Sequence, residues 1–189
     1  MTLFRTVDPA VEPLTLAEAK AHLRIDHASE DDLLGGLLRA ARQEVEKATG
    51  QALIEQAWRL VLDDWPETAT VLLRRTPVRS VLSVTVFDAD GAGSVLDPAD
   101  YQLDAVSTPA RLLLGNRPGV GRALNGIEID FTAGYGEAGA DVPDLLKRAI
   151  LLLVAHWYEF RVGYGAADQP VSLPEGYRRL ISTFRTTRL

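Results

Sequence analysis

The sequence predicts an α+β fold that is mainly helical. It reads as a helical bundle, built from N-terminal helices and one long helix in the C-terminal half, with an antiparallel β lobe inserted. Three observations lead there. Residues 14 to 50 and 143 to 161 carry apolar side chains at helical spacing, and the segment between them alternates apolar and polar at period two. The chain has 189 residues, enough for one full domain or two small lobes. The parts divide as 1–53, an N-terminal helical part; 54–136, the β-rich lobe; 137–163, the long core helix that completes the helical domain; and 164–189, a loop and C-terminal segment.

The first helix opens at Thr15-Leu-Ala-Glu18. In this pattern the threonine side chain accepts from an early amide while the glutamate reaches back to the cap. It is expected to run to about Arg24. The next opens at Ser29-Glu-Asp-Asp32, with acids at the positive end of the helix dipole. Leu34, Leu37, Leu38, Ala41, Val45 and Ala48 mark one face, and Gly50 is placed to stop it. Gly35-Gly36 interrupts this helix, at a cost of about 1 kcal/mol per glycine relative to alanine. Either a close helix crossing or a local kink would account for the pair.

Strands come next. Trp58, Leu60 and Leu62 alternate with Arg59 and Asp63; Leu82, Val84 and Val86 with Ser83 and Thr85; Ile127, Ile129 and Phe131 with Glu128, Asp130 and Thr132. Shorter candidates are Val71–Arg75, Tyr101–Leu103 and Arg111–Leu114. Asp88-Ala-Asp-Gly91 and Asn125-Gly126 read as turns.

The stretch from Pro143 to Arg161 is the most informative. Proline suits a helix start because its missing N–H has no partner there. Leu145, Leu146, Ala149, Ile150, Leu152, Leu153, Trp157 and Phe160 fill one broad side. The opposite side begins with Asp144, Lys147 and Arg148 and closes with Glu159, but carries Leu151, Ala155 and Tyr158 between them. A helix wet on that side should be polar along it. The window is covered either within the chain, as in the central helix of a monomer, or by another subunit. A membrane span is excluded, because the uncharged run from Ala149 to Tyr158 is half of the roughly 20 residues a bilayer needs.

Composition narrows function. Net charge is −6, against broad nucleic-acid wrapping, which needs cationic neutralisation of phosphates. The chain has no cysteine, which removes disulfides and thiolate metal sites. Its start, Met1-Thr-Leu-Phe-Arg-Thr-Val-Asp8, lacks the apolar core of a secretory signal. From Pro170 to Leu189, Arg178, Arg179, Arg185 and Arg188 face Glu175 alone, a local net of +3 on a body of −9. Such a tail either meets an acidic partner or is a solvated helix end.

Chemical constellations are weak. His22 and His27, near Glu30, Asp31 and Asp32, offer imidazole and carboxylates for a metal, but five-residue spacing does not align two side chains on one helical face. His156 reads as a buried histidine with one hydrogen-bond partner rather than a general base. Asp63-Asp64, adjacent on a strand, should point to opposite faces. Gly115-Asn-Arg-Pro-Gly-Val-Gly121 lacks the Lys-Ser/Thr of a phosphate loop and reads as a turn. No catalytic, cofactor-binding or metal residues are assigned.

The order of the segments carries a resemblance. Leu14-Thr-Leu-Ala-Glu-Ala-Lys-Ala-His-Leu-Arg-Ile-Asp26, then Glu30-Asp-Asp-Leu-Leu34, then Ala40-Ala-Arg-Gln-Glu-Val-Glu-Lys-Ala-Thr-Gly50, then Phe131-Thr-Ala-Gly-Tyr-Gly136, Val142-Pro143 and Ala149–Arg161 with His156-Trp-Tyr-Glu159 resemble the head–tail connector, or adaptor, proteins of tailed phages and of phage-like particles such as gene transfer agents. Gly35-Gly36 departs from the charged residues expected there. The resemblance implies a non-enzymatic structural protein of the particle neck, made in the bacterial cytoplasm. It would form a homo-oligomeric ring, usually of twelve copies, beneath the portal protein. The ring extends the channel through which DNA passes without sequence-specific binding, and docks the next neck, stopper or tail protein. No cofactor or membrane enters. The family's C-terminal segment engages the portal, which here makes Arg178, Arg179, Leu180, Phe184, Arg185 and Arg188 the expected portal-binding residues. In a ring, Leu151, Ala155 and Tyr158 become the expected subunit interface. The alternatives are a small phage-derived metal-dependent enzyme using the His22–Asp32 region and a DNA-binding module using the arginine-rich C-terminus.

Overall fold

The computed structural model describes residues 1–160 and 173–185. Among these, eight strands stand beside four α-helices: β1 (Thr2–Val7), α1 (Leu16–Leu23), α2 (Asp31–Thr49), β2 (Gln56–Leu62), β3 (Thr70–Leu73), β4 (Val78–Phe87), β5 (Gly93–Val95), β6 (Tyr101–Asp104), β7 (Ala110–Leu114), β8 (Ile127–Ala133), α3 (Asp144–Phe160) and α4 (Tyr177–Ile181). The fold is therefore a β-rich α+β fold with two antiparallel sheets. The expected mainly helical bundle is overturned. The excess strand comes from pieces with little periodicity of their own. β1 and the three-residue β5 are edge strands: the partner of β1 is distant in sequence, and β5, a hairpin partner of β4, is too short to show alternation.

The chain forms two compact units. The first joins Met1–Ala10 to Glu55–Tyr135. It holds a five-stranded sheet in the order β1-β2-β8-β4-β5 and a three-stranded sheet in the order β3-β7-β6. Period-two alternation gives each sheet a buried face. Trp58, Leu60, Leu62, Val84, Val86, Ile127, Ile129, Phe131 and Ala133 are buried from the large sheet, and Val71, Leu73, Ala110, Leu112 and Leu114 from the small one. Leu82 breaks the expected alternation and is 57% exposed. The β4–β8 register shifts between Val81 and Ser83, so Leu82 is an extra, bulged residue with no partner on β8.

Loops of this unit are tied by side chains. Asp63 accepts from the Asn125 amide at 2.8 Å, and the Trp65 indole donates to the Pro118 carbonyl at 2.9 Å. Asn125 has a left-handed φ of 54°, as its predicted turn requires, and the Gly126 carbonyl then accepts from Phe87.

The second unit joins Val11–Ile54 to the chain from Gly136 onward. The capping box at Thr15 and Glu18 forms as predicted, and Arg24 ends α1 in a left-handed conformation. Gly50 ends α2 with φ 78°, where a glycine has no Cβ to clash. Leu34, Leu38, Ala41 and Val45 of α2 are buried, as are Leu146, Ala149, Ile150, Leu153 and Val154 of α3. α2 runs unbroken through Gly35-Gly36. A Cβ there would meet only the Arg39 side chain, at 3.6 and 4.0 Å, so neither a kink nor a close helix crossing explains the pair.

Candidate functional site

The window on α3 is partly covered within its own unit. Leu151, Ala155 and Tyr158 are each half-buried, and the Tyr158 hydroxyl donates to Glu30 at the start of α2. The most exposed apolar side chains of α3 are instead Leu145, at 50%, and Phe160, at 41%. Both were expected on the buried side. They sit in the first and last turns, and the buried residues lie between them. His156 packs its ring against Phe160, with centroids 4.7 Å apart, and its Nε2 has no hydrogen-bond partner among the described residues, in place of the single partner expected.

The C-terminal segment divides by burial. Arg178, Arg179 and Arg185 are exposed, Leu180 and Phe184 are half-buried, and Arg188 lies outside the described residues. Between them Tyr177 is fully buried and Ile181 nearly so. The Gln51 side chain donates to the Phe184 carbonyl at 3.0 Å. Burial pushes the Tyr177 phenol well above its ordinary range, and Glu44 adds to the shift. α4 is thus anchored into its own unit, and its arginines point outward. Sequence reasoning passed over Tyr177 as an anchor because a helix of five residues has too few turns for a periodic signal.

Several of the residues considered for metal or acid–base chemistry are engaged elsewhere. Lys20 pairs with Asp31 at 2.7 Å, and His27 Nδ1 shares a hydrogen bond with Ser29. Among the described residues no group of three or more His, Asp or Glu side chains is arranged to hold a metal. Asp63 and Asp64 lie just past the end of β2, not within it, where Asp64 accepts from the Trp65 amide at 2.7 Å. The 115–121 loop is a strand connection whose Gly121 amide donates to Phe87. In the second unit an open cleft of about 580 Å³ is bounded by Glu12, Pro13, Thr15, Glu18, Glu137 and Lys147. Its acids are partly committed: Glu12 pairs with Arg42, and Glu18 forms the capping box. Hydrogen bonds from the Thr15 amide and hydroxyl hold the Glu18 carboxyl below its ordinary range. No described helix is long and apolar enough to cross a membrane.

What the described residues leave exposed are apolar side chains at the ends of α3, arginines on α4, and the open edges of two sheets. The family model for the head completion protein matches residues 12–168. Among solved structures, the chain is similar to one in the neck of an empty GTA particle computed with C6 symmetry. That match has a TM-score of 0.83 and 31% identity, covering 100% of this chain and 97% of that one. It is similar, at the same identity and coverage, to chains in the virion of a native gene transfer agent (GTA) particle, TM-score 0.82, and in the neck of a native GTA particle computed with C12 symmetry, TM-score 0.80. No curated protein matches the chain. With a family match over most of its length and full-length relatives at 31% identity, the chain belongs to the head completion protein family.

Proposed function

We propose that this protein is a structural head–tail connector in the neck of a phage-like particle. It works there as a homo-oligomeric ring that extends the DNA channel and joins the capsid to the next neck or tail protein. The observation that carries this reading is the full-length likeness to neck chains at 31% identity and a TM-score of 0.83. The cyclic symmetry of those necks supports a ring, and in a closed ring each copy meets two neighbours through different patches. The family assignment favours a structural role over an enzyme, and nothing in the described His22–Asp32 region favours metal chemistry.

Portal contact is assigned to the C-terminal segment, with Arg178, Arg179 and Arg185 as the cationic face and Leu180 and Phe184 beside it. Its support is the outward position of the three arginines on a chain of net charge −6. Leu151, Ala155 and Tyr158 remain the proposed subunit contact on α3, supported by their incomplete burial. A net negative ring would let DNA phosphates slide rather than stick.

The test is native mass spectrometry of the chain alone and mixed with its portal protein. A ring-sized complex on the portal is expected. Persistent absence of any complex would overturn the connector reading. Arg178→Glu with Arg179→Glu should weaken portal binding while leaving the circular dichroism spectrum unchanged. Truncation after Asp168 is a poor test, because it removes Tyr177 and Ile181 from the core of the second unit.

A further inference from the structure

The five-stranded sheet has one buried face and one open face. On the open face the register sets two rows across the sheet. One row is Phe4, Arg59, Asp130 and Ser83; the other is Thr2, Val61, Glu128, Thr85 and Val95. Apart from Val61, which is 7% exposed, the middle is polar and internally paired. Arg59 meets Asp130 through two hydrogen bonds of 2.8 Å and Glu128 at 2.7 Å. The margins are apolar: Phe4 on β1 is 45% exposed and Val95 on β5 is 65% exposed. The exposed apolar side chains of these two rows thus lie only at the two edges of the sheet.

Both edges also present unpaired main chain. β1 pairs only with β2, and β5 only with β4, among the described residues. Natural proteins blunt such edges. Here β1 carries a register shift between Arg5 and Val7, and Arg5 pairs with Asp8 at 2.7 Å, so only its first part, Thr2 to Arg5, is a regular open edge. These four residues are enough to span the three-residue β5. On β5 the Leu96 amide donates inward to Val84 at 2.8 Å. By the alternation of an antiparallel ladder, the Val95 N–H and C=O point away from β4.

We infer that β5 of one copy pairs edge to edge with β1 of the next, so that main-chain hydrogen bonds and a Val95–Phe4 contact close the ring. This rests on the ring reading above. Symmetry selects the pair of edges. Neighbours in a C6 or C12 ring are related by 60° or 30° rotations, so their contact is heterologous. Pairing β1 with β1 is isologous and needs a two-fold axis between neighbours. β1 and β5 both run opposite to their antiparallel partners, and the alternation through β2, β8 and β4 makes them point the same way. Rotation about an axis roughly along the strands preserves that direction, so the seam is a parallel pair with evenly spaced, slanted bonds. Main chain supplies the attraction, and Phe4 and Val95 supply the fit.

The absence of native cysteine makes the test direct. Phe4→Cys with Val95→Cys, and Thr2→Cys with Val95→Cys to cover the register, are placed in the full chain and assembled into particles. After oxidation, a non-reducing gel should show a ladder of multimers from at least one double variant and only monomer from each single variant. Dimers from Phe4→Cys alone would show an isologous edge and overturn the inference. So would double variants that stay monomeric on the gel although electron microscopy shows a normal neck. Particles whose neck lacks the chain altogether would instead sink the connector reading. Val95→Pro, which removes the outward N–H while leaving the inward bonds, should abolish ring formation with an unchanged circular dichroism spectrum. Normal rings from a folded Val95→Pro protein would also overturn the inference.

Discussion

Each unit of the molecule contains an arginine held by two carboxylates, and the two groups differ chiefly in water. In the second unit Arg42 donates to Glu12 and Glu46, both at 2.8 Å, with its own side chain 4% exposed and that of Glu46 7%. The other Glu46 oxygen accepts from the Leu53 amide at 3.0 Å. In the first unit Arg59 meets Asp130 and Glu128 at similar distances but is 34% exposed. Both guanidinium groups are held more firmly protonated than usual. For Arg42, burial opposes the charge, and the bond to Glu12 with the pull of Glu46 and Glu12 outweighs it. For Arg59, the bond to Asp130 leads. The comparison teaches that the same contact list has two meanings. The buried group fastens three chain segments, before α1, within α2 and after α2. The exposed group dresses a sheet surface.

Mutation should separate them. The largest effect is expected from Arg42→Ala, which strands Glu46 without its cation and should cost about 3–5 kcal/mol in urea unfolding. A loss below 1 kcal/mol would dissolve the contrast. Next comes Tyr177→Ala, at about 3 kcal/mol, because an aromatic side chain leaves a fully buried site. Tyr177→Phe is its control. The hydroxyl has no partner among the described residues, so its removal should be close to neutral at pH 7. The phenol resists ionisation when folded, so wild-type stability should fall as the pH rises above 10.0, the ordinary tyrosine value, and Tyr177→Phe should lose that component. Thr15→Ala should cost about 1 kcal/mol by removing the α1 cap, measured by the same unfolding curves. The Glu18 carboxyl is depressed in the folded state, so its contribution is present above pH 4.5 and fades as the pH falls below it; Glu18→Gln should flatten that slope. Arg59→Ala is the smallest, under about 1 kcal/mol and shrinking with added salt. A cost comparable to that of Arg42→Ala would refute the distinction.

Local features were legible because their causes are local. The Thr15–Glu18 capping box and the Gly50 stop depend on residues a few positions apart, and both formed. The alternation of β2 and β8 was equally readable. Leu82 misled because a bulge shifts phase without changing composition. β1 was missed because its partner Val61 lies far down the chain from Thr2, and the fold class was misjudged with it. The Arg42–Glu46 spacing of four suggests a helical pair, but nothing local announces Glu12 or the burial of Arg42 and Glu46. For the candidate site, α4's arginines were visible as charge, while the anchor Tyr177 was not, since burial is a property of what surrounds a residue.

The large sheet also sets a schedule for synthesis. β1 leaves the ribosome first, yet its partner β2 follows only after α1 and α2, roughly three to twelve seconds later at about 5–20 residues per second. β2 and β4 then wait again, because neither pairs with the other and the strand between them, β8, is the last of the eight to be made. The sheet is completed by insertion at its centre rather than by growth from one side. Since β8 ends at Ala133 and α3 begins at Asp144, the first unit holds all its strands before the helix that α2 packs against has been translated.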